Sequence, residues 1–228
     1  MADIMLTLQN NGAATISFVT AEHFAPSVIK SIIIAREKGL KLKTVFNTSG
    51  YMKRDTIKLL NPYIDIWLWD MKTLSPLIAE KYFGFKNYPE IEEDGIRCLQ
   101  ALKADAIVRH LVIPAFIDES IDVINHFNAH YKDSFAFSLM YQFLPPKDTR
   151  DEALLKPLTN DDLERIKDAL YSTEIENGFE QDPDPNEEQW RPNFKNFNPF
   201  PESFARAISM NKNSNSDKIT DVINHEPK

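Results

Sequence analysis

The chain has 228 residues, of which 26 are Lys or Arg and 34 are Asp or Glu, so its formal net charge is −8. This length suits one large domain, or one domain and a tail. The acidic balance disfavours broad binding to nucleic acid, which needs clustered basic residues, and no run of about 18 apolar residues could span a membrane. The first residues also lack the pattern of a signal peptide. We therefore expect a cytoplasmic protein with neither a nucleic-acid nor a membrane partner.

Cys98 is the only cysteine in the sequence, and this count restricts the possible metal chemistry. One cysteine cannot supply the several thiolates that a Cys-rich zinc site or an iron–sulfur cluster needs. Cys98 is expected to be a small core residue of a helix. His126 and His130 are four residues apart, but no carboxylate pattern accompanies them, which favours a solvated helix face. We therefore expect no metal ligands in this chain.

Taken in chain order, apolar runs of strand length alternate with helix-length segments from residue 14 to about residue 171. The predicted strands are residues 14–19, 43–46, 64–69, 106–113 and 135–140. The predicted helices are residues 25–38, 54–60, 76–83, 91–102, 121–130 and 159–171. Such alternation is typical of an α/β fold with a parallel sheet and right-handed crossovers. About five strands are too few for a closed eight-stranded barrel, so we expect an open sheet or a partial barrel.

The composition changes after Glu174. Residues 177–201 contain few aliphatic side chains and a repeated Asn/Phe/Pro pattern, and residues 209–228 are almost entirely polar. We therefore expect a domain over residues 1–175 and an irregular to disordered segment over residues 176–228. If the first strand lies at a sheet edge, its unpaired backbone favours dimerisation or aggregation unless residues 177–201 cover it.

Polar side chains follow each of the predicted strands. In parallel α/β folds, ligands bind where the carboxyl ends of the strands meet the loops. Polar residues at these ends are Thr20 and Glu22; Asn47 and Ser49; Asp70 and Lys72; Arg109 and His110; and Tyr141 and Gln142. Turn and capping roles could explain several of them singly. Their recurrence at every strand end favours a binding site.

Arg109 and His110 are neighbours in the fourth predicted strand, so alternation places them on opposite faces of the sheet. Arg109 interrupts a run of Ile, Val and Leu, and a guanidinium buried without a partner is costly. His110 could be a core histidine packed beneath a helix, or it could face the interior instead of Arg109.

Four blocks of the sequence resemble radical SAM proteins in their order and approximate spacing, and the similarity as a whole covers about residues 3–171. The blocks are residues 16–24, 46–51, 65–72 and 108–114. They look most like homologues of pyruvate formate-lyase activating enzyme. The resemblance implies a partial (β/α) barrel that lacks its first strand and binds S-adenosylmethionine (SAM). In that family a 4Fe–4S cluster cleaves SAM, and the resulting radical abstracts hydrogen, for example from a glycine of a partner enzyme.

The resemblance also implies roles at the first two strand ends. Thr20 and Glu22 would correspond to the segment beside the amino group of the methionine part of SAM. Asn47 and Ser49 would lie over the ribose or the methionine part.

Further roles are implied at the later strand ends. Asp70 and Lys72 resemble the family's Asp-x-Lys, which lies near the methionine carboxylate. Arg109 resembles a strand arginine that faces the cofactor, and Gln142 occupies the corresponding position of the last strand.

The sequence departs from the family in one large respect. The CxxxCxxC loop that holds the cluster precedes the first matched block, and this sequence starts downstream of it. Cys98 is neither in the right place nor sufficient, so no catalytic residue is assigned and the chain alone is not expected to cleave SAM. Its expected partner is a protein substrate or a separately encoded cluster-binding segment. Two alternatives remain: a non-catalytic SAM- or partner-binding remnant, and an unrelated α/β enzyme that uses Asp70 and Lys72 for proton transfer or Schiff-base chemistry.

Overall fold

The computed structural model describes residues 1–181. The strands in this part of the chain are β1 (Thr15–Val19), β2 (Lys43–Thr48), β3 (Ile66–Asp70), β4 (Ala106–Leu111), β5 (Ala136–Met140) and β6 (Gly178–Glu180). The α-helices are α1 (Ala2–Asn10), α2 (Ala25–Glu37), α3 (Arg54–Leu60), α4 (Pro76–Phe83), α5 (Tyr88–Ala101), α6 (Ile117–His130) and α7 (Asn160–Tyr171). Short 3₁₀ helices cover Glu22–Phe24, Asn61–Tyr63, Pro114–Phe116 and Glu152–Leu155.

The six strands form one parallel sheet whose spatial order, β1 to β6, is the order of the sequence. The predicted α/β class and its five strands are confirmed. The sixth strand corrects the expectation that the chain is irregular from residue 176. It is only three residues long, too short for a periodic signal, and it is held by backbone bonds from Phe137 to Asn177 and from Gln181 to Leu139.

Residues 1–143 and 148–182 form one compact unit. Residues 144–147, which have no regular secondary structure, lie outside this unit. Within the described part of the first unit, β1 pairs only with β2 and is the expected edge strand. Most of the segment expected to cover that edge lies outside the described residues. None of the helices in residues 1–181 has the length and apolar character needed to cross a membrane.

One face of the sheet, the helix face, packs against the helices. All of its side chains between β1 and β5 are buried: Ile16, Phe18, Thr44, Phe46, Thr48, Trp67, Trp69, Ala106, Val108, His110, Phe137 and Leu139. Trp69 lies against Gly95 of α5, where an added Cβ would come within 2.5 Å of the indole ring. Only glycine therefore permits this close approach of α5 to the sheet.

The opposite face, which we call the half-buried face, keeps partial solvent access except at Val45. Strand register puts Asn47, Leu68 and Ile107 in one row across β2, β3 and β4. Asp70 and Arg109 are paired in a row nearer the carboxyl ends of the strands. Because side chains alternate along each strand, both rows project from the same face.

Candidate functional site

Four polar side chains are joined by direct bonds on the half-buried face; we call them the rim cluster (Asn47, Asp70, Lys72 and Arg109). Arg109 donates from Nε and Nη2 to Asp70 Oδ1, at 2.9 and 2.6 Å, and from Nη2 to Asn47 Oδ1 at 2.7 Å. Lys72 Nζ donates to the other carboxylate oxygen of Asp70 at 2.9 Å. The side chains of Asp70, Arg109 and Lys72 are 19%, 21% and 35% exposed, so the cluster remains within reach of a ligand.

The sheet itself brings these residues together. Asp70 and Arg109 are register partners on adjacent strands, so their side chains meet without any loop contribution. Arg109 reaches across β3 to Asn47 of β2. Lys72 follows the end of β3 by two residues and turns back to Asp70. The cost of a partly buried guanidinium is met by this pairing.

The rim cluster has more donors than acceptors. One carboxylate and two cations give it a formal charge of +1, and Asp70 uses both oxygens on those cations. Within residues 1–181, the N–H groups of Arg109 Nη1 and Asn47 Nδ2 make no hydrogen bond, and Lys72 Nζ bonds only to Asp70. Free donors beside a net positive charge favour an anion, and a carboxylate matches the guanidinium geometry.

The residues predicted at the first strand end lie next to the rim cluster without bonding to its side chains. Thr20, whose φ is 50°, donates its backbone N–H to the carbonyl of Asn47 at 2.9 Å. Glu22 accepts a 2.5 Å bond from Thr48 Oγ1, on the helix-face side of β2. Its other oxygen, Oε2, is buried and has no hydrogen-bond partner among the described residues.

Ser49 and Gln142 have different positions relative to the cluster. Ser49 follows β2, and its carbonyl oxygen accepts a bond from the hydroxyl of Tyr88. Gln142 follows β5 and accepts a 2.9 Å bond from Gln181, beyond β6. The structure therefore links Ser49 to the cluster loops through backbone and leaves Gln142 without a direct contact to the cluster.

His110 is a satisfied core histidine, as one of the two sequence-based interpretations held. Its Nδ1 donates to the carbonyl of Met71 at 2.8 Å, and its Nε2 lies 2.9 Å from Ser120 Oγ. A carbonyl can only accept, so the ring is protonated at Nδ1 and accepts from Ser120 at Nε2. Complete burial lowers the pKa of His110. Arg109 and His110 do lie on opposite faces.

Sequence reasoning missed two residues of α5 that support the rim cluster from beneath, Tyr88 and Glu92. The Tyr88 hydroxyl lies 2.8 Å from Ser49 O and 2.9 Å from Asp70 O. Glu92 is fully buried and accepts a 2.5 Å bond from Trp69 Nε1. Burial raises the pKa of Glu92 to about 8, although the bond from Trp69 opposes this shift. A glutamate in the apolar stripe that continues with Ile96 and Leu99 was the available signal.

A third missed residue, Glu119 of α6, fixes the loop that follows Lys72. One of its carboxylate oxygens accepts hydrogen bonds from Thr73 Oγ1 and from the backbone N–H groups of Leu74 and Ser75. This loop therefore has a defined conformation before any ligand binds. The rigid loop limits where the ammonium group of Lys72 can lie.

The residues present do not fit an iron–sulfur cluster. The sequence has one cysteine, Cys98, and it is buried in α5, in agreement with its predicted core role. No group of three or more His, Cys, Asp or Glu side chains in residues 1–181 could hold a metal ion. His126 is not simply solvated as expected, because its Nε2 lies 2.9 Å from Glu93 Oε2 and its ring packs on His130.

Comparisons with known proteins find one curated relative and solved structures of similar fold. No family model matches the chain. An uncharacterized protein of Methanocaldococcus jannaschii is 26% identical over 104 residues, which cover 46% of this chain and 30% of that protein. The match thus spans less than a third of that relative's length.

Two solved structures share the fold. A domain of pyruvate-formate lyase-activating enzyme from Bacteroides vulgatus superimposes with a TM-score of 0.56 at 12% identity, over 74% of this chain and 99% of that one. Streptococcus suis SuiB bound to S-adenosylmethionine gives a TM-score of 0.53 at 16% identity, over 79% of this chain and 41% of that one. The six parallel strands that alternate with helices thus form a partial barrel like those of these two structures, which agrees with the fold that the sequence resemblance implied.

Proposed function

We propose that this chain binds S-adenosylmethionine on the half-buried face of its sheet, with the rim cluster recognising the carboxylate of the methionine part. The free donors of Arg109, Lys72 and Asn47 around a net positive charge are the observation that carries the proposal. The likeness of the fold to a structure bound to this cofactor supports the choice of ligand.

The rim cluster is already arranged for such a ligand. Asp70 engages Nε and Nη2 of Arg109, which fixes the plane of the guanidinium and leaves Nη1 for the carboxylate. Lys72 and the amide of Asn47 would complete the set of donors. Little reorganisation is needed on binding, because the cluster residues already hold one another in place.

The amino group of the methionine part needs a negative partner. Glu22 has the right sign, and no described residue bonds its Oε2, but its bond to Thr48 holds it on the helix-face side, so Glu22 would have to turn toward the half-buried face to meet the ligand. We assign Glu22 to the ammonium, with the backbone of Thr20 beside it. Ser49 and Gln142 are proposed to contact the remainder of the cofactor, Gln142 with the weaker support because it bonds to Gln181.

Cleavage of SAM is not assigned to this chain by itself. That reaction requires an electron from an iron–sulfur cluster, and one buried cysteine cannot hold the cluster. We propose that a separately encoded cluster-binding segment would have to complete the site, and that a protein would be the substrate. In its absence the chain is a SAM-binding domain.

The alternative of an unrelated enzyme that uses Lys72 as a nucleophile has less support. A Schiff base needs a neutral amine with a free lone pair. Lys72 Nζ instead donates to the Asp70 carboxylate at 2.9 Å, in an ion pair that is shared with Arg109. This arrangement suits charge recognition rather than nucleophilic attack.

Isothermal titration of the full chain with SAM tests the proposal, with the Arg109→Gln variant and the matched control Ser138→Ala. Ser138 is the register partner of Arg109 on the same face, and its side chain makes no hydrogen bond among the described residues. We expect R109Q to weaken SAM binding at least tenfold, about the effect of one lost charge-assisted bond, and S138A to bind normally.

A second ligand separates carboxylate recognition from general cofactor binding. 5′-Methylthioadenosine keeps the adenosine part of SAM but has no carboxylate. We expect R109Q to leave its affinity unchanged. If the wild-type chain does not bind SAM, or if R109Q weakens both ligands equally, the proposed role of the rim cluster is wrong.

A further inference from the structure

Tyr88 and Glu92 lie one turn apart on α5, directly beneath the loops that carry the rim cluster. Both are buried, at 3% and 0% exposure. Neither bonds to a side chain of the cluster, so neither belongs to the binding set itself. Each instead contacts the strand ends or loops from which the cluster residues project.

Tyr88 joins the ends of β2 and β3 through a single oxygen atom. Its hydroxyl lies 2.8 Å from Ser49 O, 2.9 Å from Asp70 O and 3.3 Å from the backbone nitrogen of Lys72. The hydroxyl proton serves one of the two carbonyls at a time, while the oxygen accepts the Lys72 N–H. Tyr88 therefore fixes the spacing between the loop after Asn47 and the segment from Asp70 to Lys72.

Glu92 fills the space beneath the same two strand ends. At Gly50, whose φ is +80°, an added Cβ would lie 2.6 Å from Asp70 O and 2.9 Å from Glu92 Cγ. Only glycine therefore lets the β2 loop approach so closely. Glu92 Oε1 accepts the bond from Trp69, and Oε2 has no hydrogen-bond partner among the described residues.

The charged and titratable groups around Glu92 all oppose its ionisation. The negative charges of Glu93, on its own helix, and of Asp70, at the end of β3, raise the pKa of Glu92, and the hydroxyl of Tyr88 is neutral. An ionised Glu92 would add a second negative charge beneath the rim cluster and reduce its net charge from +1 to zero. Because Glu92 itself is fully buried, water would screen that charge only weakly, and it would act on an anionic ligand at the cluster.

We propose that Tyr88 and Glu92 are positioning residues for the anion site: Tyr88 holds the two cluster loops at a fixed spacing, and the uncharged carboxyl group of Glu92 preserves the positive charge of the cluster. This inference rests on the proposed function. It adds that binding of a carboxylate ligand weakens when Glu92 loses its proton, around pH 8.

The first test compares SAM binding by the wild-type chain and Glu92→Gln between pH 6.5 and 9.5. The glutamine can still accept the bond from Trp69 but cannot ionise. We expect the affinities to agree at pH 6.5 and to diverge through about pH 8, with the wild type about tenfold weaker at pH 9.5. The amino group of the ligand titrates equally in both measurements, so the difference reports Glu92. Parallel profiles would overturn the role of Glu92.

The second test is Tyr88→Phe, with Tyr63→Phe as the matched control. The hydroxyl of Tyr63, at the opposite end of the sheet, makes no hydrogen bond among the described residues. We expect Y88F to bind SAM about tenfold more weakly and Y63F to bind normally. Unchanged affinity in Y88F would overturn the role of Tyr88.

Two readouts without SAM separate this inference from the proposed function. Trp69 fluorescence, taken as the wild-type minus E92Q difference, should titrate near pH 8. The Lys72 amide should exchange faster in Y88F, while the Met71 amide, which bonds to Arg109 O, should not. If these signals appear but the wild type does not bind SAM, the proposed function and its ligand fail while the support of the loops stands. If neither signal appears, the inference fails whatever the chain binds.

Discussion

The two faces of the sheet, built from the same strands, differ in how they accommodate polar side chains. On the helix face, His110 is bonded at both ring nitrogens, and Glu92 of α5, which packs against this face, is kept from ionising by burial. On the half-buried face, Asp70, Lys72 and Arg109 form ion pairs in partial contact with solvent. Adjacent residues such as Leu68 and Trp69 therefore lie on different faces. Because side chains alternate along a strand, residues that stabilise the core lie on one face and residues proposed to bind a ligand lie on the other.

The largest effect should come from a paired truncation of those two neighbours. Trp69→Ala removes a fully buried indole and should cost about 3–5 kcal/mol of the free energy of unfolding. Leu68→Ala, on the half-buried face, should cost about 1 kcal/mol. Urea unfolding of both variants measures the difference. Equal losses would mean that the two faces contribute alike to the core.

Two adjacent glutamates of α5 should change the free energy of unfolding with pH in opposite directions. Glu93 loses solvent on folding, which raises its pKa, but bonds from His126, Tyr131 and Arg97 outweigh this and lower the pKa to about 2. Its contribution is therefore present above about pH 4.5 and is lost as the pH falls toward 2. Glu92, with its raised pKa, contributes most below about pH 4.5, and that contribution is lost as the pH rises to about 8.

Urea midpoints between pH 3 and pH 9 test these opposite signs. Glu92→Gln should remove the decline between pH 5 and pH 8, which can reach about 1.4 kcal/mol per pH unit. Glu93→Gln should remove part of the decline below pH 4.5. A wild-type midpoint that stays constant from pH 5 to pH 8 would contradict the assignment of Glu92 as a buried neutral acid.

The smallest effect on stability is expected at the rim cluster. Arg109→Gln breaks bonds that lie partly in solvent, so the free energy of unfolding should change by about 1 kcal/mol or less. The same variant should lose SAM affinity, so the substitution would weaken binding without a comparable loss of stability. Loss of several kcal/mol in thermal or urea unfolding would mean that the cluster is a structural element instead.

The rim cluster could be anticipated because its geometry follows from strand alternation and from the common edge where parallel strands end. Asn47, Asp70 and Arg109 needed no loop conformation to be placed together. Gln142 was harder to place, because its partner Gln181 follows β6, a strand too short to recognise. The position of Thr20 depends on its left-handed backbone conformation, which cannot be predicted from the fact that the residue is a threonine.

Glu92 was missed because charged helical residues are usually exposed. The helix was also predicted to begin at residue 91, whereas α5 begins at Tyr88 with Pro89 in its first turn. Proline at that position is a standard helix start. With the helix start placed at Tyr88, Tyr88 and Glu92 fall in one apolar stripe with Leu99. That stripe identifies Glu92 as a buried acid.

The sequential order of the strands has a consequence for how the chain folds. Each strand pairs with the one before it, from Val45 with Ile66, 21 residues on, to Phe137 with Gly178, 41 residues on. Loop closure over such distances is entropically modest. The sheet can therefore grow by accretion, one β–α unit at a time, while the polypeptide leaves the ribosome.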